Sequence, residues 1–330
     1  MTDDSHTVER PENQAFDAQI NALVQDAESM RVAFMKRHRA RGFVATTISL
    51  VSISIGSIGF GWFLLVSGDL VRAVGCMVLA IAIPALSYIW SANILKYYKQ
   101  QYKQTFLPRL AKALGGFKFF PTRGITRKVI LKTGLIPKHD IYEAEDCFMG
   151  TYKGVKVMFS EARLKFNKSH AEPAFDGIFV LLESPQDVFD GHTILSADPH
   201  KVKAWQNTRW QKLTPFDLPH DESIVAKFWG FSDAIEKARD FVDVPLLKEI
   251  SEACSVFSNA QISVAFFRKK YVFMMIPYSG DMFEPSSINI PIATKQHAAQ
   301  CKKEIHQILE IIDVFELYRP STQEAFNTEH

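Results

Sequence analysis

Residues 42–68 read GFVATTISLVSISIGSIGFGWFLLVSG, and residues 73–95 read AVGCMVLAIAIPALSYIWSANIL; neither stretch contains a charged residue. A helix of about 20 apolar residues crosses the ~30 Å hydrocarbon core of a bilayer, so each stretch is long enough to span one. Helices buried in a soluble protein usually keep a polar face, which both stretches lack. The sequence therefore predicts two transmembrane helices, over 42–67 and 73–95.

The connection between the two predicted spans is short. Only Asp69, Leu70, Val71 and Arg72 separate the charge-free stretches. A turn of this length joins helices that are antiparallel neighbours, so we expect a hairpin. The first stretch begins too late in the chain, and is too long, for a cleaved signal peptide.

Positive charge predicts the orientation of this hairpin. Loops on the cytoplasmic side are enriched in Lys and Arg, and the turn carries only Arg72, offset by Asp69. We therefore expect both termini in the cytoplasm and the hairpin in the inner membrane of the cell. The basic residues at the outer ends of the hairpin are Arg31, Lys36, Arg37, Arg39 and Arg41 before it, and Lys96, Lys99, Lys103, Arg109 and Lys112 after it.

Small residues in the first span predict close helix packing. Ser52, Gly56, Ser57 and Gly61 form two pairs with a spacing of four, a pattern that lets helix backbones approach closely in lipid. The partner is either the second span or another chain in a homo-oligomer. Neither span has an ionisable residue in its middle, which disfavours a channel or transporter.

A basic segment follows the second span. There is no acidic residue between Asp69 and Asp140, whereas residues 140–330 hold 28 acidic and 20 basic residues. Basic segments beside a bilayer are attracted to anionic lipids by about 1 kcal/mol per residue. Alternatively, these basic residues only set the topology of the hairpin and lie on solvated helix faces. No nucleic-acid-binding module accompanies the segment. The membrane-surface candidates are Lys96, Lys99, Lys103, Arg109, Lys112, Lys118, Arg123, Arg127 and Lys128.

The rest of the chain divides around the hairpin. Apolar residues at heptad spacing predict a cytoplasmic amphipathic helix over 14–41. A similar stripe predicts a basic juxtamembrane helix over 96–116, which ends at Gly115 and Gly116. We expect both helices to continue the spans, packed on each other or between chains. The remaining predicted segments are a disordered leader over 1–13, a cytoplasmic domain over 117–319 and a tail over 320–330.

Short strands dominate the predicted cytoplasmic domain. Turn residues indicate hairpins at Lys153-Gly154 and around Arg268–Lys270. Because the strands precede the helices without regular alternation, we predict an α+β fold with a mainly antiparallel sheet and inserted and C-terminal helices. The candidate strands are 128–135, 141–150, 154–160, 176–183, 191–196, 224–231, 261–267 and 271–277, and the candidate helices are 232–240, 244–256 and 294–317.

Three sequence blocks follow the hairpin in a characteristic order. They are DCFMGTYKGVKVMFSEARL (146–164), FDGIFVLLESPQDVFDGHTILSAD (175–198) and AKFWGFSDAIEKARDFVDVPLLKEI (226–250). With the hairpin, they resemble a bacterial family of uncharacterised membrane proteins defined by a domain of unknown function. The resemblance implies two N-terminal spans and a C-terminal cytoplasmic domain, and it implies no catalytic residue.

Residues with catalytic or metal-binding chemistry are scattered. There is no phosphate-binding glycine loop, no HExxH and no GxSxG, so we assign no catalytic, metal or cofactor-binding residue. Strand alternation would place Glu143, Glu145 and Cys147 on one face, as a metal site or as a solvated strand face. The segment KVKAWQNTRWQK, residues 201–212, suits either a membrane interface or a core anchor.

The sequence thus favours a membrane-anchored, non-enzymatic protein. Its cytoplasmic domain would bind a partner or act at the inner membrane surface. The alternative is a membrane-associated enzyme with an unrecognised site, for instance one that acts on lipids.

Overall fold

The computed structural model forms two compact units. The helical unit comprises residues 21–106 with 284–294, and the sheet unit comprises 1–20, 107–283 and 295–330. Side chains are described from residue 19 onward. The residues that the structure describes are 7–8, 13–167, 172–198, 213–278, 287–289 and, near the C-terminus, 303, 305–307, 309–310 and 312–313.

Two long helices contain the charge-free stretches. Helix α1 covers Asn13–Leu65 and helix α2 covers Leu70–Ala113. Each helix therefore joins a predicted span to its predicted flanking helix without a break. Between them Gly68 adopts a φ of +62°, which glycine tolerates without steric cost. The Asp69 carboxylate accepts a hydrogen bond from the backbone N–H of Arg72 at 3.1 Å and so caps the start of α2.

Both helices are long and apolar enough to cross a membrane. Only 6% of the residues in the most apolar window of either helix are buried. A core helix of a soluble protein would bury most of such a window, whereas these helices turn their apolar side chains outward.

Ten strands among the described residues form one sheet. Its order is β1-β3-β4-β5-β10-β9-β6-β8-β7, and β2 pairs with β3 outside this path. Every pairing is antiparallel except that of β1 with β3. The strand bounds are β1 Thr7–Val8, β2 Lys118–Phe120, β3 Ile141–Tyr152, β4 Val155–Lys165, β5 Phe175–Glu183, β6 Thr193–Ser196, β7 Thr214–Phe216, β8 Trp229–Ser232, β9 Ser263–Phe267 and β10 Tyr271–Pro277.

Two tight turns set the register of the sheet. Lys153 and Gly154 have φ values of +48° and +83° and join Tyr152 of β3 to Val155 of β4, as the type I′ preference of such dipeptides predicts. Arg268 and Lys269 also have positive φ in the turn between β9 and β10. Both predicted hairpins are confirmed.

The sheet is covered on both faces. Phe179 and Phe273 lie on one face with ring centroids 5.0 Å apart, in a cluster that includes Ile130 and Leu135 from the segment before β3. On the opposite face Phe266 lies 5.2 Å from Phe241. Strands β9 and β10 are therefore nearly continuous apolar runs, because both sides of each strand are buried.

Within the described residues, the sheet unit has three short helices in addition to the helical residues near the C-terminus. They are α3 Arg127–Ile130, α4 Ile235–Phe241 and α5 Val244–Val256. Helix α5 begins where predicted because the Asp243 carboxylate accepts a hydrogen bond from Leu246 N at 3.0 Å and Pro245 occupies the first turn. Further helical residues are described between 303 and 313, within the predicted helix 294–317. The fold class, α+β with a mainly antiparallel sheet, is confirmed.

Some predicted elements differ from the structure. The candidate strand 128–135 is wrong: it is helix α3 followed by turns, because Thr133 bonds back to Ile130 O at 2.7 Å and Gly134 has a φ of +72°. The candidate strand 224–231 is extended only at its end, in β8. The sequence did not predict the short strands β1, β2 and β7. The segment 201–212 lies outside the described residues.

Candidate functional site

The two long helices meet closely at glycines. A Cβ placed on Gly56 would lie 2.4 Å from Ala80 Cβ and 3.0 Å from the Cys76 carbonyl oxygen. A Cβ on Gly59 would lie 2.9 Å from Cys76 Sγ. Contacts this short leave no room for a side chain, so α1 and α2 pack tightly here.

The four predicted packing residues take different positions. Gly56 is buried against α2, while Ser52 is half-buried and donates to Ser49 O at 3.1 Å. Ser57 is exposed, and a Cβ on Gly61 would meet no atom within 4 Å. Gly59 was missed because it lies three residues from Gly56 rather than four, although both spacings place residues on one helix face.

A buried arginine ties a distant segment to α1. Arg31 is 5% exposed, and its Nε and Nη2 contact the Glu28 carboxylate at 2.8 and 2.5 Å. Its Nη1 donates to the backbone oxygen of Ile288 at 2.6 Å. The hydrogen bond with Glu28 raises the pKa of Arg31 above its ordinary value. The arginine is thus charge-paired while it holds 287–289 within the helical unit.

The membrane-surface candidates are divided between the units. Lys96, Lys99 and Lys103 belong to the helical unit, and the other candidates belong to the sheet unit. Lys103 and Lys118 are half-buried, and the rest are exposed. Arg123 lies over the Phe120 ring, 4.6 Å from its centroid. The exposed candidates are Lys96, Lys99, Arg109, Lys112, Arg123, Arg127 and Lys128.

A β-bulge changes the face of Cys147. The register of β3 against β4 shifts between Glu145 and Phe148, and Asp146 has a φ of +53°. The extra residue interrupts the alternation, so Cys147 is buried while Glu143 and Glu145 are exposed. The expectation of a shared face is therefore wrong. Burial raises the pKa of the Cys147 thiol to about 12, which leaves it protonated at neutral pH and a poor nucleophile.

His192 serves the packing of the sheet unit. Its Nε2 lies 2.9 Å from Thr133 O, and its backbone N–H donates to Asp233 Oδ1 at 2.6 Å. Burial lowers its pKa below the ordinary value. These bonds join the loop before β6 to the segments before β3 and after β8, which is a structural role. His170 and His200 lie outside the described residues.

The connection between β7 and β8 forms a concave surface of the sheet unit. Two cavities of about 470 and 440 Å³ adjoin at Leu218 and Phe228. Val225 borders the first and is 87% exposed. Ser223 donates two hydrogen bonds to the Asp221 carboxylate, from its backbone N–H at 2.8 Å and from its Oγ at 2.6 Å. These bonds lower the pKa of Asp221.

Both charged and apolar side chains line this surface. His220, Asp221 and Lys227 border the cavity, but no Ser, Cys or Thr nucleophile lines it. Within the described part of the chain, no three His, Cys, Asp or Glu side chains are grouped so that they could hold a metal ion. Polar and apolar side chains share the exposed area of the two cavities about equally.

Comparison with known proteins finds one family model that matches part of the chain. Residues 173–317 match the model of a family described as "Protein of unknown function (DUF3137)". No curated protein and no solved structure matches the chain. The match begins just before β5 and covers the rest of the sheet, which agrees with the resemblance to a domain of unknown function behind two apolar helices.

Proposed function

From the premise that a DUF3137 domain follows two long apolar helices, we propose that the chain is a membrane-anchored, non-enzymatic protein. Helices α1 and α2 cross the inner membrane, both termini are cytoplasmic, and the sheet unit binds a partner protein at the membrane surface.

The main support for a membrane anchor is that apolar side chains on helices α1 and α2 point outward. Phe43, Ile58 and Leu65 are 75%, 73% and 83% exposed, and Val71 is 83% exposed. Apolar surface in water costs about 25 cal/mol per Å², so a continuous layer of this kind requires lipid around it.

Charge supports the orientation. The turn between the helices holds Arg72 paired with Asp69 at 3.1 Å, whereas the opposite ends carry the basic residues named above. An excess of Lys and Arg on one side of a hairpin keeps that side in the cytoplasm.

Partner binding is supported by the β7–β8 connection. Its adjoining cavities combine charged side chains with exposed apolar ones such as Val225, and no Ser, Cys or Thr side chain lines them. Exposed apolar patches on folded domains commonly mark protein interfaces.

Fractionation and cysteine labelling test the anchor. The full chain should remain in carbonate-washed membranes. On intact cells an impermeant maleimide should label Ser67→Cys in the turn, and should label Lys138→Cys in the sheet unit only after lysis. Wild type measures the background from the native cysteines, of which Cys147 and Cys254 are buried, Cys76 is half-buried in α2, and Cys301 lies outside the described residues. A soluble chain would overturn the anchor, and the reverse labelling pattern would overturn the orientation.

Photo-crosslinking tests the partner surface. A photoreactive amino acid at Val225 should give a discrete crosslinked product in native membranes. The same amino acid at Leu131, an exposed apolar position of the same unit at 43%, should give none. Equal products at both positions, or none at Val225, would refute this surface as the interface.

A further inference from the structure

Two buried polar atoms in the helical unit lack a partner among the described residues. Tyr98 is 2% exposed, and neither its hydroxyl nor His38 Nδ1 has a hydrogen-bond partner. A buried polar group without a partner costs about 1–3 kcal/mol. Native proteins rarely retain such groups without a reason, and one reason is a ligand that completes the hydrogen bonds.

Both side chains border one small cavity. Its volume is about 290 Å³, near the lower end of the range for ligand sites. Lys99, which is exposed, adds a positive charge at its edge. The hydrogen bond from Arg31 to Ile288 O fixes one wall. The cavity is lined by His38, Leu95, Tyr98, Lys99, Ser287, Ile288 and Asn289.

The polar groups of this cavity suit an anion with several oxygens. Burial raises the pKa of Tyr98 to about 12, so its hydroxyl stays protonated and can donate. A lysine ammonium donates as well, and a histidine ring donates from Nδ1 in one of its tautomers. Phosphate oxygens accept hydrogen bonds from several such donors at once.

An apolar groove continues from the same place. A second cavity of about 400 Å³ shares His38 and Leu95 with the first. It extends along α1 and α2 into the charge-free stretches. The groove is therefore polar at one end and apolar along its length, which is the pattern of a phospholipid rather than of a soluble anion. Its other lining residues are Gly42, Ala45, Thr46, Ser49, Leu50, Ile53, Tyr88, Ser91 and Ala92.

The position along the helices fits a lipid headgroup. Leu95 is the last residue of the second charge-free stretch, so the polar cavity begins where the hydrocarbon core should end. We propose that the helical unit binds one anionic phospholipid, with its phosphate held by Tyr98, His38 and Lys99 and one acyl chain in the groove. This inference rests on the proposed membrane anchor.

Native mass spectrometry of the full chain released from nanodiscs tests the site. The nanodiscs contain phosphatidylcholine with one-fifth phosphatidylglycerol. Wild type should retain one phosphatidylglycerol molecule. Loss of a hydrogen bond to a charged group weakens binding by about tenfold or more, so Tyr98→Phe and Lys99→Gln should each lower the retained fraction to that extent.

Matched controls lie on the same helix. Tyr97→Phe and Lys96→Gln remove the same groups from exposed positions outside the cavity and should retain lipid as wild type does. If Tyr98→Phe binds like Tyr97→Phe, the site is refuted. Displacement of the lipid by millimolar inorganic phosphate would refute a lipid occupant in favour of a free anion. A chain that reconstitutes into nanodiscs without a retained lipid refutes the site alone, whereas a chain that never enters membranes refutes the anchor.

Discussion

The helical unit and the sheet unit distribute their apolar side chains in opposite ways. In α1 and α2, residues such as Leu65 and Val71 are 83% exposed while Gly56 and Ala73 are buried. In the sheet, Phe179 is 0% exposed, and charged side chains such as Glu143 and Glu145 are exposed. Burial of large apolar groups lowers free energy only when the solvent is water. The difference is the one expected if lipid surrounds one unit and water the other.

Two glycines have different roles in the two units. Gly56 is buried because the helix contact excludes any side chain, and a contact in lipid gains stability from close packing rather than from removal of water. In the sheet unit Gly154 is needed for its positive φ in a tight turn. The same residue type thus has a packing role at Gly56 and a conformational role at Gly154.

The largest expected effect is the loss of a buried ring from the sheet. Phe179 contacts Phe175 and Phe273 at ring-centroid distances of 5.0 Å each. Phe179→Ala should lower the free energy of unfolding by about 3–5 kcal/mol. Urea titration of the full chain in detergent measures it. The matched variant Phe43→Ala, at a position 75% exposed on α1, should cost less than ~1 kcal/mol. Equal losses would contradict the division between the units.

The next effect tests the solvent around α2. Leu86 is 66% exposed near the middle of the second charge-free stretch. An arginine there costs about 2.5–3.5 kcal/mol if lipid surrounds it, so Leu86→Arg should lower the fraction of chain in carbonate-washed membranes. Val225→Arg, at an 87% exposed apolar position of the sheet unit, should leave that fraction unchanged. If both variants insert as well as wild type does, lipid does not surround α2.

Helix packing gives an effect of intermediate size. Gly56→Leu places a side chain where Ala80 Cβ already lies within 2.4 Å of an added Cβ. It should destabilise the hairpin by about 1–3 kcal/mol, measured by its resistance to SDS unfolding. Gly61→Leu adds the same group where no atom lies within 4 Å. We expect no loss there, and a loss at Gly61 alone would mean that the helices meet on a different face.

The structural elements that could be predicted from the sequence are those whose signals lie within a few neighbouring residues. The bounds of α5 and β10 match the prediction because an Asp-Val-Pro cap and an uninterrupted apolar run are local. The segment 128–135 was wrongly predicted as a strand, because its apolar residues contact the core from helix α3 and the turns that follow it. The bulge at Asp146 reversed the face of Cys147, since a single extra residue shifts all later alternation.

The candidate lipid site could not be predicted from local sequence signals either. Tyr98 lies in the stretch 96–116 that an apolar stripe predicted to be a helix, and its buried hydroxyl gave no signal in the sequence. The cavity wall at Ile288 depends on a hydrogen bond across 257 residues of sequence. Residue spacing can place Tyr98 on a helix face, but it cannot identify what covers that face.

A smaller effect concerns pH and the sheet unit alone. Burial lowers the pKa of His192 in the folded chain, whereas an unfolded histidine titrates near ~6.5. The folded state thus favours the neutral ring, and stability should fall as the pH drops below ~6.5, by at most ~1.4 kcal/mol per pH unit. His192→Gln should flatten this part of the urea-stability profile between pH 7.5 and 5.5. His220→Gln, at an exposed position, should leave this part of the profile unchanged. If His192→Gln has the same slope as wild type, His192 is not the cause of the pH dependence.

The smallest effect compares one capping interaction in both units. Asp69 accepts from Arg72 N at 3.1 Å at the start of α2, and Asp243 accepts from Leu246 N at 3.0 Å at the start of α5. Loss of an N-cap carboxylate costs typically ~1 kcal/mol when water can reach the freed N–H group. Asp69→Ala and Asp243→Ala should therefore have equal costs, measured by SDS unfolding of the hairpin and urea unfolding of the sheet unit. The hydrocarbon core offers no water to an unpaired N–H. A cost of several kcal/mol for Asp69→Ala alone would place the turn inside the bilayer, whereas equal costs place it at the aqueous surface opposite the basic ends of the helices.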